Sequence, residues 1–299
     1  MSTALLFSGQ GSQYAGMGKP LCDAQPGVYD EIFRVGSDIL GFDLKKTMFE
    51  GTAEELAETR VSQPAIFTMS LMCAKKFELD GGTFDAVAGH SLGEYAALVC
   101  AGAVDMPTGF TLIKHRAACM DKAAKKNGGK MAAIIGLDAQ AVEAGCAEAA
   151  ADGDYVVPVN YNTPVQTVIA GSEAGVAKAA ELLKAKGAKR AVPLAVAAAF
   201  HSEYMKEAAD EFAALIAGIK IGAPTKTFYS NVLGAELTDF SDIHGLLARH
   251  ICSPVRFTSE LAAMQAAGTD RFVECGPGKA LTGMVKKTLE NVTAESMDA

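Results

Sequence analysis

The residues Gly89-His90-Ser91-Leu92-Gly93 carry the strongest signal in this sequence. They follow a short apolar run at residues 84–88 and precede a stretch with helical periodicity at residues 94–103. A Gly-x-Ser-x-Gly segment between a strand and a helix is typical of a nucleophile elbow, because only glycines fit beside so tight a turn. The helix N-terminus also favours an oxyanion next to the serine. The segment therefore predicts a nucleophilic Ser91 at the end of a buried strand.

Composition limits the class of protein. The chain has 299 residues, 49% hydrophobic and 21% charged, which suits one large domain or one with an insertion. Its apolar runs are too short for a membrane span and no signal peptide is evident, so we expect a cytoplasmic protein without membrane contact. Seven cysteines without a Cys-x-x-Cys pair predict reduced thiols rather than disulfides or a metal site. The formal net charge of −8 argues against nucleic acid as a partner.

A glycine-rich loop follows the first predicted strand, at residues 4–7. Its sequence, Gly9-Gln10-Gly11-Ser12-Gln13, is not a dinucleotide-binding fingerprint, because Tyr14 stands where the third glycine is needed. No Walker lysine-serine pair follows a glycine loop either. We therefore expect no bound nucleotide.

In the middle of the chain the pattern of predicted secondary structure changes. Strand character at residues 131–137, 155–160, 166–170 and 189–196 alternates with helical stretches at 138–151 and 173–186. This β-α-β-β-α-β order predicts a ferredoxin-like subdomain at residues 129–196. It would be inserted between two segments, 1–128 and 197–299, of a larger α/β-hydrolase-like domain with a parallel sheet core.

Several local boundaries can also be predicted. One helix is expected at residues 62–79, with Ser62 as its N-cap and Pro64 in its first turn, and another at residues 107–126. The polar tail after Asn291 is expected to fray.

A serine nucleophile needs a base within hydrogen-bond reach. Among the five histidines, His90 lies on the elbow itself and His115 lies within a helix. His201 instead ends an apolar, strand-like run and precedes a helix that Ser202 can cap. Such an exit presents catalytic groups at the edge of a sheet. His201 is therefore the predicted base, although periodicity leaves its distance from Ser91 open.

Five motifs occur in a fixed order along the whole chain. In this combination they resemble the malonyl-CoA:acyl-carrier-protein transacylases of fatty acid synthesis. The motifs are Gly9-Gln10-Gly11-Ser12-Gln13, Gly89-His90-Ser91-Leu92-Gly93-Glu94-Tyr95, Arg116, Ala199-Phe200-His201-Ser202 and Glu274-Cys275-Gly276-Pro277-Gly278-Lys279.

The resemblance implies a covalent mechanism. Ser91 would take the malonyl group from CoA as an ester and pass it to the phosphopantetheine thiol of an acyl carrier protein, with His201 as general base. The backbone N–H groups of Gln10 and Leu92 would form the oxyanion hole. Arg116 would hold the malonyl carboxylate, which a planar guanidinium can bind with two hydrogen bonds.

The resemblance also implies further site residues. Gln63, Asn162 and Phe200 would belong to the substrate site, although Asn160 and Asn162 can equally be turn residues. The main-chain carbonyl of His250 would orient the catalytic histidine. The family precedent is a monomer that needs no metal or cofactor beyond its substrates, malonyl-CoA and the carrier protein.

Three positions depart from the family pattern. His250 stands in place of a common glutamine, Ser8 in place of a proline, and Glu203-Tyr204 in place of Pro-Leu. These positions flank the predicted site and put the shape of the pocket and the pKa of the catalytic histidine in question.

Other functions remain open at this point. A trans-acting acyltransferase of a polyketide synthase would use the same motifs. A serine esterase or thioesterase would share the elbow, with Asp239, Asp242 and His250 as imaginable triad partners, but the HGGG-type oxyanion loop is missing. A non-catalytic docking protein would not need its full set of reactive residues. Since carrier proteins are typically acidic, Lys75-Lys76 and Lys286-Lys287 are candidate docking positions.

Overall fold

The computed structural model describes residues 2–196 and 198–298. Met1, Ala197 and Ala299, which delimit predicted segments, lie outside the described residues. Within the described part no helix combines the length and apolar character that crossing a bilayer requires.

The strands are β1 (Ser2–Phe7), β2 (Ala86–Gly89), β3 (Lys130–Ile135), β4 (Val156–Thr163), β5 (Gln166–Gly171), β6 (Arg190–Pro193), β7 (Thr227–Ser230), β8 (Ala235–Glu236), β9 (Thr269–Cys275) and β10 (Thr293–Ser296). The α-helices are α1 (Lys19–Ala24), α2 (Asp30–Leu40), α3 (Leu44–Glu50), α4 (Ala53–Ala57), α5 (Thr59–Leu79), α6 (Gly93–Cys100), α7 (Met106–Asn127), α8 (Ala139–Ala150), α9 (Glu173–Ala185), α10 (Lys206–Ile216), α11 (Ile243–His250), α12 (Phe257–Ala266) and α13 (Ala280–Thr288).

The larger sheet has the order β10-β9-β1-β2-β7-β8. Its first five strands run parallel and β8 pairs antiparallel with β7 at one edge. Alternate residues of β1 pack on opposite sides, with Leu5 and Phe7 in one apolar cluster and Ala4 and Leu6 in another. Helices cover both faces, as expected for a parallel sheet. The carboxyl ends of the parallel strands therefore share one edge, where the candidate site lies.

The smaller sheet has the order β4-β5-β3-β6 and is antiparallel throughout. Together with α8 and α9 it follows the chain order β-α-β-β-α-β that the sequence predicted. Its helices and strands enclose an apolar cluster of their own, including Ile134, Val142, Ile169 and Leu183. This part of the chain therefore has a hydrophobic cluster of its own.

The N-termini of α7 and α5 test the helix starts predicted from the sequence. The prediction for α7 is confirmed, because Asp105 accepts the Thr108 amide at 2.9 Å and Pro107 occupies the first turn. The prediction for α5 is wrong at its start: the helix begins at Thr59, and Ser62 lies buried inside it rather than at the cap. Pro64 thus lies inside the helix, where it lacks the N–H that would bond the carbonyl of Arg60.

The C-terminal tail does not fray as predicted. Residues 293–296 form β10, which pairs in parallel with residues 271–274 of β9. Asp298 then accepts hydrogen bonds from the Tyr14 hydroxyl and from the Gly278 amide. Strand pairing therefore orders a polar segment whose composition alone favours disorder. The four helices α1–α4 were also missed. The helices α1, α3 and α4 have at most seven residues, whereas α2 spans 11 residues with an amphipathic pattern.

Candidate active site

The Gly-x-Ser-x-Gly segment forms a sharp turn between β2 and α6. Ser91 has a φ of 55°, a left-handed conformation that is uncommon for a non-glycine residue. A Cβ atom on Gly89 would lie 2.0 Å from the carbonyl carbon of Gly93, and one on Gly93 would lie 2.1 Å from the carbonyl oxygen of Phe7. Both glycines are therefore required by close backbone approach, and the serine is held in a strained conformation at the carboxyl edge of the sheet.

Ser91 and His201 meet at this edge. Ser91 Oγ lies 2.7 Å from His201 Nε2, and His201 Nδ1 lies 3.0 Å from the carbonyl oxygens of His250 and Ser253. Because a carbonyl only accepts, Nδ1 carries the hydrogen and Nε2 is left to accept the serine proton. Burial lowers the pKa of His201 well below its usual value, and the neighbouring His250 and Arg116 lower it further. The imidazole is thus neutral at pH 7, the state a general base needs.

Arg116 lies directly behind the serine. Its Nη2 donates to Ser91 Oγ at 3.0 Å and its Nη1 donates to Gln63 Oε1 at 2.7 Å. The side chain is 1% exposed and stacks near the Tyr95 ring, with Cζ 5.5 Å from the centroid. Among residues 2–196 and 198–298 no carboxylate forms an ion pair with it, and its Nε has no hydrogen-bond partner. A buried cation without a counter-ion is costly, so this position favours an anionic ligand.

The backbone amides of Gln10 and Leu92 are the predicted oxyanion donors. Gln10 follows the carboxyl end of β1, and Leu92 is the residue before α6. In the described part of the chain neither amide donates a hydrogen bond to a protein acceptor. Gln10 also lines the cavity in front of Ser91. The positive end of the α6 dipole adds to the attraction for a negatively charged oxygen.

A cavity of about 410 Å³ opens onto the serine. Phe200 lines it, as predicted for a substrate-site residue, together with His90 and Asn160. Asn162 instead lies behind His90, with its Oδ1 2.8 Å from His90 Nε2, and Gln63 is fully buried against Arg116. Neither of these two predicted site residues lines the cavity: Asn162 supports the cavity-lining His90, whereas Gln63 supports Arg116, which lies behind Ser91.

Two supporting contacts were missed from the sequence. Asn231, the residue after β7, accepts the Ser91 amide on its Oδ1 at 2.7 Å. The carbonyl of Ser253 shares the His201 Nδ1 hydrogen with the predicted His250 carbonyl. A polar residue at the end of a buried parallel strand is a signal for Asn231, whereas a main-chain carbonyl leaves no trace in the sequence. No cluster of three metal-ligating side chains occurs in the described ranges.

Comparisons with known proteins match almost the whole chain. The family model of the acyl transferase domain matches residues 4–298. The malonyl CoA-acyl carrier protein transacylase of Escherichia coli is 41% identical over 296 residues, covering 99% of this chain and 95% of the relative. The protein of the same name from Bacillus subtilis is 42% identical over 284 residues, covering 95% and 89%.

Solved structures are similar over the whole chain. The acyl-carrier-protein S-malonyltransferase of Burkholderia pseudomallei has a TM-score of 0.94 at 40% identity, covering 100% of this chain and 96% of that one. A malonyl-transacylase solved in complex with its type II PKS acyl-carrier protein has a TM-score of 0.95 at 38% identity, with the same coverage. The family model spans residues 4–298, and the Escherichia coli relative is 41% identical over 99% of this chain. The chain therefore belongs to the malonyl CoA-acyl carrier protein transacylase family of acyl transferases.

Proposed function

We propose that this protein transfers malonyl groups from CoA to the phosphopantetheine thiol of an acyl carrier protein, through an ester on Ser91. The observation that carries the proposal is the contact of one hydroxyl with two different groups. Ser91 Oγ lies 2.7 Å from a neutral imidazole nitrogen and 3.0 Å from a buried guanidinium. The imidazole can take its proton, and the cation stabilises developing negative charge on its oxygen.

The first half-reaction forms the acyl-enzyme. Ser91 Oγ attacks the thioester carbonyl while His201 Nε2 takes the hydroxyl proton, and the carbonyl oxygen becomes an oxyanion held by the amides of Gln10 and Leu92. The C–S bond then breaks, and His201 returns the proton to the departing CoA sulfur. Arg116 binds the malonyl carboxylate as the donor arrives, so that this contact is present throughout acylation.

The second half-reaction runs in reverse with another thiol. The carrier thiol gives its proton to His201 and attacks the Ser91 ester, and the serine oxygen leaves with the proton from His201. Because the cargo stays on the enzyme between the two steps, the donor and acceptor never need to bind together. No metal or further cofactor enters these steps, and one chain supplies every group used, so a monomer suffices.

We propose the corresponding architecture in three segments. Residues 1–128 and 197–299 form an α/β-hydrolase-like unit, supported by the serine at a strand-to-helix turn of a parallel sheet. Residues 129–196 form a ferredoxin-like subdomain, supported by the strand order β4-β5-β3-β6. The cavity draws on both, since Met131 of the insert and Ser91 line it together. All seven cysteines are free thiols, which supports a reducing, cytosolic location.

The carrier determines the biological role. Starting fatty acid elongation is the proposed role, and loading a polyketide synthase carrier is the second candidate, since one similar solved structure holds a PKS carrier. Lys286 and Lys287, both exposed at the end of α13, stay candidates for docking an acidic carrier. Lys76, by contrast, already pairs with Asp80.

The experiment is an assay that measures malonyl transfer to the carrier separately from hydrolysis by water. The protein is incubated with malonyl-CoA and a phosphopantetheinylated carrier of either fatty acid or polyketide type, and malonyl-carrier and free malonate are quantified. We expect malonyl-carrier as the main product and none with Ser91→Ala. Release of malonate without malonyl-carrier would instead assign a thioesterase, and comparing the two carriers assigns the pathway class.

A further inference from the structure

A buried polar network lies behind the serine and histidine. Its central residue is Asn231, which is fully buried directly after β7. Its Oδ1 accepts the Ser91 amide at 2.7 Å, and its Nδ2 donates to the Gly89 carbonyl and to Glu260 Oε1, each at 2.7 Å. Since a backbone amide only donates and a carbonyl only accepts, these partners fix which end of the side-chain amide is the oxygen.

The same oxygen reaches the other half of the site. Asn231 Oδ1 lies 3.0 Å from His250 Nε2, which must therefore carry a hydrogen. His250 in turn accepts the Nδ1–H of His201 on its main-chain carbonyl. One side chain thus holds the backbone of the nucleophile and, through a single further residue, the orientation of the base.

Acidic groups complete the network. His250 Nδ1 lies 3.0 Å from Glu94 Oε2, and both side chains are almost wholly buried. The other carboxylate oxygen of Glu94 accepts the Asn231 amide. Burial, with the nearby Glu94 charge, raises the pKa of Glu260 well above its usual value. The buried carboxylates of Glu94 and Glu260 are thus both joined to Asn231 by hydrogen bonds, whereas His250 Nδ1 makes none within the described residues.

We propose that Asn231 and the side chain of His250 are positioning residues that hold Ser91 Oγ and His201 Nε2 at reacting distance. The inference rests on the proposed acyl transfer through Ser91. Neither side chain lines the cavity, so neither contributes directly to substrate binding. Ser91 needs such support because its φ of 55° is strained. The histidine at position 250 therefore acts through its side chain as well as its carbonyl.

The test is single-turnover acylation by malonyl-CoA, with KM and thermal unfolding measured on the same samples. For Asn231→Ala we expect the acylation rate to fall by about 100-fold, the scale of a small misplacement of reacting groups, with KM changed by less than about threefold. Ser230→Ala is the matched control, because Ser230 is equally buried beside it and its Oγ has no partner in the described part of the chain.

A second pair of variants covers the case in which Asn231→Ala fails to fold. His250→Leu keeps the main-chain carbonyl but removes the donor to Asn231, whereas His250→Gln offers a replacement N–H. We expect the leucine variant to acylate at least about tenfold more slowly and the glutamine variant to recover most of that rate. Equal rates for the two variants, or an Asn231→Ala rate within about threefold of wild type, would overturn the inference. If wild type itself forms no malonyl-serine, the proposed function fails instead.

Discussion

Arg116 Nη2 donates a hydrogen bond to Ser91 Oγ over 3.0 Å. A guanidinium and a nucleophilic hydroxyl are thus in contact before any substrate arrives. The guanidinium has a buried Nε without a partner in the described residues, so it retains donor capacity for a carboxylate. We propose that the position of this cation relative to the nucleophile distinguishes a malonyl group from a neutral acyl group.

Removing this cation should change acyl selectivity. We expect Arg116→Ala to slow malonyl acylation about 10- to 100-fold more than acetyl acylation, since a hydrogen bond to a charged group contributes about 1.5–3 kcal/mol. Arg116→Lys should also lose selectivity, because an ammonium cannot form the paired contacts of a planar guanidinium. Acylation by malonyl-CoA and acetyl-CoA is compared for each variant. Lys122→Ala, on the exposed side of the same helix, is the charge-matched control. Equal losses with both donors would contradict the role.

The pH profile should report the buried imidazole. The pKa of His201 is lowered by burial, by His250 and by Arg116, so the neutral base persists below the ordinary histidine value of about 6.5. Acylation should therefore keep its rate as pH falls from 7 through about 6.5, and decline only further into the acidic range. The measurement is kcat/KM for acylation across pH in buffers of constant ionic strength. A decline centred at or above pH about 6.5 would show that the imidazole is not desolvated as described.

The elbow glycines give a stability prediction. Gly93→Ala would place a methyl group 2.1 Å from the Phe7 carbonyl oxygen, and since that atom is backbone, β1 must move. We expect strong destabilisation and loss of acylation. Gly283→Ala provides the comparison, because nothing lies within 4 Å of its added Cβ on α13. That variant should gain about 0.5–1 kcal/mol in free energy of unfolding, measured by denaturant titration. A Gly93→Ala protein as stable as Gly283→Ala would refute the close approach.

The C-terminal strand should be needed for stability. Deleting residues 293–299 removes the pairing of β10 with β9 and the Asp298 contacts to Tyr14 and Gly278. Each lost hydrogen bond contributes about 0.5–1.5 kcal/mol net, so we expect Tm to fall by several degrees. Glu295→Gln breaks only the exposed ion pair with Arg271 and should change the free energy of unfolding by less than about 1 kcal/mol. An unchanged Tm in the truncated protein would mean that the strand is dispensable.

The sequence predicted those features whose cause is local. The β-α-β-β-α-β order was predictable because period-2 and helical patterns alternate clearly, and the start of α7 because Pro107 suits the first turn of a helix. The start of α5 was not, since Ser62 and Pro64 imitate an N-terminus inside a buried helix. The strand β10 was missed because its order comes from β9, which precedes it by some twenty residues.

The features of the site also fall into those predictable from local sequence and those that depend on the tertiary structure. Ser91 is marked by its glycines, and His201 by its place after an apolar run, but their distance of 2.7 Å depends on the assembled sheet. The link from Asn231 to His250 depends on the end of β7 meeting α11 in the core. No local pattern records such a contact, and so the supporting network becomes visible only in three dimensions.

The most direct measurement is mass spectrometry of the protein after brief exposure to malonyl-CoA without a carrier. We expect one malonyl group on the peptide that contains Ser91, its removal when carrier protein is added, and no adduct in Ser91→Ala. A wild-type protein that transfers malonyl while Ser91 stays unmodified, or an adduct that persists in Ser91→Ala, would contradict the account.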